Sequence, residues 1–225
     1  MFSLQNVSTF IQIISSFVAY LITVSPVGYF KAWIAAVCGD DTAEQEGFLT
    51  LDPLIHFDFI GLIALLFFGI GWGRNVPVTI HALHEPYRKF KIASVLFAPA
   101  VMHILLTCLA SIIWYLIFAS AAVAQTNGYP LMLVFARILL AFIILNSFLA
   151  VMTFFINSIN LIALFASERY VSFAQHAYHV ILLGPLAIIL ILELFGIHLL
   201  SYMHAIVLHM TFFLGKLVAG FFGIH

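Results

Sequence analysis

The sequence predicts an all-α polytopic membrane protein, a bundle of five to six transmembrane helices with a small β element between the first helices. Of its 225 residues, 64% are hydrophobic and only 8% are charged, and the mean hydropathy is +1.18. A soluble domain is about half apolar and a quarter charged, so the composition excludes that class. The apolar residues are gathered in runs near the length of roughly 20 that one bilayer crossing needs. Residues 1–225 are therefore predicted to form a single transmembrane domain of an integral, multi-pass protein.

Six apolar blocks account for the predicted helices. The first is longer than one crossing, and Pro26 and Gly28 are expected to kink or break it. The second is short enough to be re-entrant, entering the membrane and returning to the same side. The third and fourth are long enough to tilt or to project beyond the bilayer. The blocks lie at about residues 7–38, 57–71, 92–124, 131–166, 180–197 and 199–222.

Charged residues mark two loops of opposite character. The loop at 40–52 is acidic, whereas the loop at 72–91 carries four of the eight lysines and arginines. With six spans, these loops lie on opposite sides, and the positive-inside rule places 72–91 and both termini in the cytoplasm. A net charge of −1 without a basic tail argues against nucleic acid as a partner. The lipid bilayer is the partner that the composition requires.

One helical face of the fourth block carries the polar residues Asn146, Thr153, Asn157 and Asn160. Lipid cannot satisfy polar groups, so this face should turn inward and hydrogen-bond to other helices. Polar interfaces of this kind are ordinary in membrane bundles. We interpret the face as interhelical glue, with a hydrated site as the alternative.

The ten histidines offer few pairs of metal ligands. His81 and His84 lie three residues apart, as do His176 and His179, and each pair supplies at most half of a tetrahedral zinc site. A membrane haem would need axial histidines on facing helices. We expect each histidine to be a neutral, hydrogen-bonded residue at a helix interface, and metal binding through these two pairs stays open.

Several short motifs follow one another in the stretch "KAWIAAVCGDDTAEQEGFLTLDPLIHFDFIG", from Lys31 to Gly61. Their order and spacing resemble the site-2 protease family of intramembrane zinc metalloproteases. Bacterial members of that family commonly read G-D-x-T-A and then G-R-L-T-L-N-P-L-x-H-I-D-P-I-G. Downstream, "GWGRNVPV" from Gly71 to Val78 is similar to the family's F-G-W-A-K-P-V-P-V, and "FAPAVM" from Phe97 to Met102 to its A-G-P-x-x-N. The resemblance covers about residues 27–103.

The resemblance implies a small sheet beside the membrane helices. In the family, segments like "LTL" and "VPV" form such a sheet near the active site, where an extended substrate strand can pair with an edge. We therefore expect Leu49–Leu51 and Val76–Val78 to approach each other and pair. "GFLTLDPLIHFDFIG", from Gly47 to Gly61, should then help to build a substrate-facing edge.

The resemblance also implies a defective catalytic centre. The family holds zinc with two histidines one helical turn apart and uses the glutamate of H-E-x-x-H as general base. Counting back from Ala32 and Trp33, Val27 and Lys31 stand at the histidine positions and Gly28 at that of the glutamate. The family's third ligand, an aspartate in a later helix, aligns with Phe165. No residue is therefore assigned as catalytic or as a metal ligand, and no cofactor is expected.

Lys31 is the unusual residue of this region. One interpretation is that its side chain snorkels toward the membrane interface. The other is that its cation replaces the charge of the missing metal inside the bundle, near Asn157, with Asp58 or Glu168 as its partner. The candidates for a residual or substrate-facing site are Lys31, Leu49, Thr50, Leu51, His56, Asp58, Asn157 and Asn160.

These observations predict a site-2 protease-like pseudoenzyme of a bacterial inner membrane that binds a transmembrane partner or substrate without cleaving it. One alternative is an active metalloprotease with zinc ligands rearranged among the histidines. A second alternative is an unrelated structural or haem-associated subunit of a membrane complex.

Overall fold

A computed structural model describes residues 4–118 and 130–166, with scattered positions between 184 and 220. The described part is helical and contains no strand, which confirms the predicted all-α class for these residues. The three long helices are α1, α5 and α6, and the others are short. Their bounds are α1 Leu4–Cys38, α2 Thr42–Gln45, α3 Pro53–His56, α4 Phe59–Phe68, a 3₁₀ turn Ile80–Ala82, α5 Arg88–Phe118 and α6 Pro130–Ala166.

Three helices of the described part are long and apolar enough to cross a membrane, over Thr9–Cys38, Arg88–Tyr115 and Val134–Ile162. α1 runs through Pro26 as one continuous helix, so the first block does not break there, and the alternative of a kink stays a prediction. Its 35 residues give a rod of about 52 Å, well beyond the ~30 Å hydrocarbon core. The fifth and sixth apolar blocks fall largely outside the described residues, so the total of five to six spans stays a prediction.

The packing of side chains fixes the directions of the long helices. Ala19 of α1 shares a buried cluster with Ile143 of α6, and Leu161 of α6 packs against a second cluster that contains Ala35, so α1 and α6 run parallel. Phe97 of α5 lies 5.4 Å from Phe154 between ring centroids, whereas later residues of α5 pack against the start of α6. α5 therefore runs antiparallel to both of its neighbours.

These directions decide the path of residues 39–87. Since α1 ends where α5 begins, this segment leaves and rejoins the bundle at the same end. α4, with 10 residues, is about 15 Å long, half of a crossing, and it packs its Ala64 and Leu65 against Tyr20 of α1. The second block is therefore re-entrant, and the acidic and basic loops lie at one end of the bundle. The six-span arrangement, which separates them, is wrong for this part of the chain.

Tyr20 and two glycines hold the re-entrant segment against α1. The Tyr20 hydroxyl lies 3.0 Å from the carbonyl oxygens of both Asp58 and Trp72 and accepts from the Asp58 N–H at 3.1 Å. A Cβ at Gly61 would collide with the Trp72 carbonyl oxygen, and one at Gly71 would lie 2.6 Å from that of Gly61. Non-helical backbone at membrane depth needs such internal partners, because lipid offers none.

A polar cluster joins the three long helices at mid-bundle. Asn146 of α6 is 0% exposed, and its side-chain oxygen lies 2.8 Å from Nδ1 of His103 on α5. Its amide nitrogen donates to Oγ1 of Thr23 on α1 at 2.8 Å and to the Phe142 carbonyl at 2.9 Å. The glue interpretation is confirmed for Asn146. Thr153, by contrast, donates to Leu149 within its own helix at 2.6 Å.

Candidate functional site

Two of the motif stretches that carry the resemblance, residues 47–61 and 71–78, meet at one turn of α1, residues 27–31. A side chain added at Gly28 would have its Cβ inside the imidazole of His56, 2.7 Å from Cε1 and 2.8 Å from Cγ. One turn later, the Lys31 ammonium donates to Oδ1 of Asn75 at 3.1 Å and to the Val76 carbonyl at 3.2 Å. The short motifs are thus neighbours in space, as they are in order along the chain.

His56 is held in one orientation by its surroundings. It is 0% exposed, its ring packs edge-on against Phe48, and Nε2 lies 2.8 Å from the Thr50 carbonyl oxygen. A carbonyl oxygen only accepts, so Nε2 carries the proton and Nδ1 presents its lone pair. Nδ1 is buried and has no hydrogen-bond partner within the described part of the chain.

Burial also sets the protonation state of His56. It lowers the pKa of the imidazole below its ordinary value, because desolvation disfavours the charged form. The Thr50 carbonyl and the Asp52 carboxylate oppose this shift, but their effects are smaller. The side chain is therefore neutral at physiological pH, as expected for the histidines of this sequence.

Lys31 finds different partners from those predicted. Thr23 bonds to Asn146, an offset of 123 residues, and α1 runs parallel to α6, so Lys31 is level with α6 near residue 154. Both hydrogen bonds of its ammonium nevertheless run to the segment that precedes the 3₁₀ turn. Asp58, one of the two suggested partners, is not among them, and Glu168, the other, lies outside the described residues. An ammonium held by two protein oxygens also does not snorkel freely toward the headgroups.

The two β-prone segments approach each other without pairing as strands. Phe48 and Val76 share a buried cluster with Ala32 and Ala43, and Leu49 packs against it. Residues 49–51 and 76–78 have no strand geometry, so the predicted β element is not formed among the described residues. A backbone bond just outside the two segments joins the Arg74 N–H to the His56 carbonyl at 2.7 Å.

Asp40 is a site residue that the sequence reasoning missed. It is 0% exposed, and its carboxylate accepts from the backbone N–H of Thr42 at 3.1 Å and of Thr79 at 2.7 Å. The Thr42 hydroxyl donates to it at 2.5 Å. This clasp joins the end of α1 to the far side of the re-entrant segment. The Asp-x-Thr spacing within Gly39–Ala43 was the available signal, since short polar side chains there bond to nearby backbone.

The remaining candidates are dispersed. Asp58 is buried and accepts from the Gly61 N–H at 2.9 Å, which caps α4. Leu51 is 61% exposed, Asn157 is half-buried, and the side-chain oxygen of Asn160 is buried without a hydrogen-bond partner in the described part. The other positions lie outside the described residues or side chains: Phe165, Glu168, His176 and His179.

Zinc does not fit the residues at the turn 27–31. Val27 has no donor atom, a lysine ammonium repels a cation, and the imidazole fills the space beside Gly28. In the described ranges, no three histidine, cysteine or carboxylate side chains come together as a metal cluster. His81 and His84 are both exposed there.

Comparison with known proteins gives one partial similarity. The chain is 41% identical over 69 residues to "Putative zinc metalloprotease YwhC" of Bacillus subtilis, a match that covers 31% of this chain and 30% of that protein. This similarity suggests a site-2 protease-like relationship. It also fits a bacterial origin. No protein-family model matches the chain, and no solved structure matches it.

Proposed function

We propose that this chain is a site-2 protease-like membrane protein that binds a transmembrane partner and does not cleave it by zinc chemistry. The relationship rests on the partial similarity and on the order of the short motifs. The loss of zinc chemistry rests on one observation, the turn of α1 at residues 27–31. There the His56 ring occupies the space beside Gly28, where the family pattern has its general base.

The partner-binding part of the proposal rests on features of the family pattern that this chain retains. The non-helical segments that the family pattern assigns to substrate contact still meet at α1. Leu51 and Leu54 of that region are 61% and 75% exposed. A helix of a membrane partner would offer the apolar surface that such side chains fit. Zinc, nucleic acid and haem have no role in this proposal.

A metal and cleavage assay on the purified full chain tests the proposed loss of chemistry. We expect metal analysis to find no stoichiometric zinc, and a chelator to leave the thermal unfolding midpoint unchanged. Metal that holds a fold together stabilises it by many kcal/mol, so its removal would be visible. Cleavage of a transmembrane substrate that stops with chelator, or on substituting His176 or His179, would establish the active-protease alternative. A haem spectrum would favour the structural-subunit alternative.

A cross-linking experiment in native membranes tests the proposed partner surface. A photoreactive residue at Leu51 or Leu54 should give adducts with a membrane-embedded protein. The matched control is Leu105 on α5, which is 54% exposed and lies outside the re-entrant segment. Equal adduct yields at Leu105 and Leu51 would contradict a partner surface at the re-entrant segment.

A further inference from the structure

His56 links three separate parts of the chain. Its ring lies on Gly28 of α1, its Nε2–H donates to the Thr50 carbonyl, and its own carbonyl accepts from the Arg74 N–H at 2.7 Å. It therefore touches α1 and both of the non-helical segments that would face a partner. Asp40 also connects α1 to the re-entrant segment, but its bonds to Thr42 and Thr79 lie nearer the end of α1 and do not involve Gly28.

We infer that His56 is a positioning residue that seats the segment 48–56 on α1, using the space that the missing glutamate side chain would need. This inference rests on the proposed function, which assigns contact with the partner to the segment 48–56. Gly28, at the lost catalytic position, is then the point of α1 to which that segment attaches. The histidine itself is part of the family motif, where it stands together with a glutamate.

The geometry indicates that the contact between His56 and Gly28 is a specific one and not incidental side-chain packing. Gly28 is buried in the interior of α1, where glycine is a poor helix former, and its missing side chain is what admits the ring. The ring gives up a hydrogen bond at Nδ1 to lie there, and a buried polar atom without a partner is costly. Only the bond from Nε2 to Thr50 and the packing on Phe48 compensate.

A double-mutant cycle between positions 28 and 56 tests the seat. Gly28→Ala should displace the ring, lower the thermal unfolding midpoint and raise hydrogen–deuterium exchange at residues 48–52 several-fold. Alanine is the better helix former, so the same change at an open helical glycine should be neutral or stabilising. Gly220 is that control, since it is helical, is not followed by proline, and a Cβ there would meet nothing within 4 Å.

The combination with His56→Ala decides the outcome. His56→Ala alone should raise exchange at 48–52, and Gly28→Ala should add little to it, because the ring it would displace is gone. Independent, additive effects of the two substitutions on both measurements would overturn the inference. So would a Gly28→Ala variant that matches the wild type. These measurements need no partner, so failure of the seat and failure of partner binding are distinguishable.

Discussion

The Asn146 cluster and the His56–Lys31 region both involve α1, through Thr23 and through Gly28 and Lys31, but the hydrogen bonds of their polar groups differ. Asn146 uses both ends of its amide, and its partners come from three helices. His56 and Lys31 instead bond to oxygens of non-helical segments, and one ring nitrogen of His56 is left without a partner in the described part. The satisfied cluster joins helix to helix. The incompletely satisfied region fixes irregular backbone to a helix, which is where a functional surface is expected.

The distinction between these regions depends on residues 39–87 entering and leaving at one end, and a topology test gives the largest expected effect. Glu44→Cys and Lys89→Cys, each in a Cys38→Ala/Cys108→Ala background, should react with an impermeant maleimide from the same side of the membrane. A tag ahead of Leu4 should lie on the other side. The basic residues at 74–91 place the labelled side in the cytoplasm. Labelling of the two cysteines from opposite sides would restore the six-span arrangement.

Asn146→Ala should destabilise the bundle by about 1–3 kcal/mol, because two interhelical bonds are lost and each contributes about 0.6–2 kcal/mol in a membrane. The bond to Phe142 within α6 is lost as well. Reversible unfolding in mixed micelles measures the change. Asn157→Ala, on a half-buried position of the same helix, is the control and should have a smaller effect. If the two variants are equally unstable, the hydrogen bonds of the mid-bundle cluster do not stabilise the bundle more than an ordinary half-buried asparagine does.

Acid should weaken the seat of His56 selectively. Its pKa is lowered in the fold, mainly by burial, so the unfolded chain takes up the proton first as the pH falls through about 6.5. The contribution of neutral His56 to stability is therefore full above that pH and is lost as the pH falls through the folded pKa. Unfolding between pH 8 and 5 should show a drop for the wild type that is smaller in His56→Gln. Parallel pH profiles would mean that His56 does not titrate differently in the two states.

Lys31→Met should have the smallest effect on overall stability, within about 1 kcal/mol, because two lost hydrogen bonds are offset by removing a partly buried charge. The local effect should be larger. Hydrogen–deuterium exchange at residues 75–79 should rise, while that at 48–52 stays near the wild-type rate. Lys89→Met, at an exposed position, is the control. Unchanged exchange at 75–79 would show that the ammonium does not hold this segment.

Composition predicted the helices well, but it could not predict their directions. Hydropathy counts apolar residues along the chain, and it gives the same signal for the short α4 whether the chain crosses or turns back. The decisive information was long-range, in contacts such as those of Tyr20 with Asp58 and Trp72. The motif order correctly led to one region, yet the ladder expected from "LTL" and "VPV" does not form among the described residues. Side-chain packing of Phe48 and Val76 joins those segments instead.

The sequence identified residues of the candidate site, but it did not predict which other residues they contact. His56 stood out through its motif, but a glycine gives no sign of which ring will rest on it. Lys31 was expected to turn toward α6, because the family arrangement brings those helices together around a metal. Without a set of metal ligands there, the nearest strong hydrogen-bond acceptors determine the direction of the Lys31 side chain. These acceptors are Asn75 and Val76. Asp40 went unnoticed because its partners Thr42 and Thr79 are 37 residues apart.

The separation between Thr23 and Asn146 has a consequence for biosynthesis. The two residues are 123 positions apart, and at about 5–20 residues per second a ribosome needs roughly 6–25 s to go from one to the other. During that interval α1 and then α5 are completed, but the apolar surface and the amide that α6 contributes do not yet exist. The nascent chain must wait with the Thr23 hydroxyl, the His103 ring and the face of α4 exposed to lipid or to an insertion factor. Assembly of this bundle is therefore completed late, and a ribosome that stalls before α6 would leave a product open to membrane quality-control proteases.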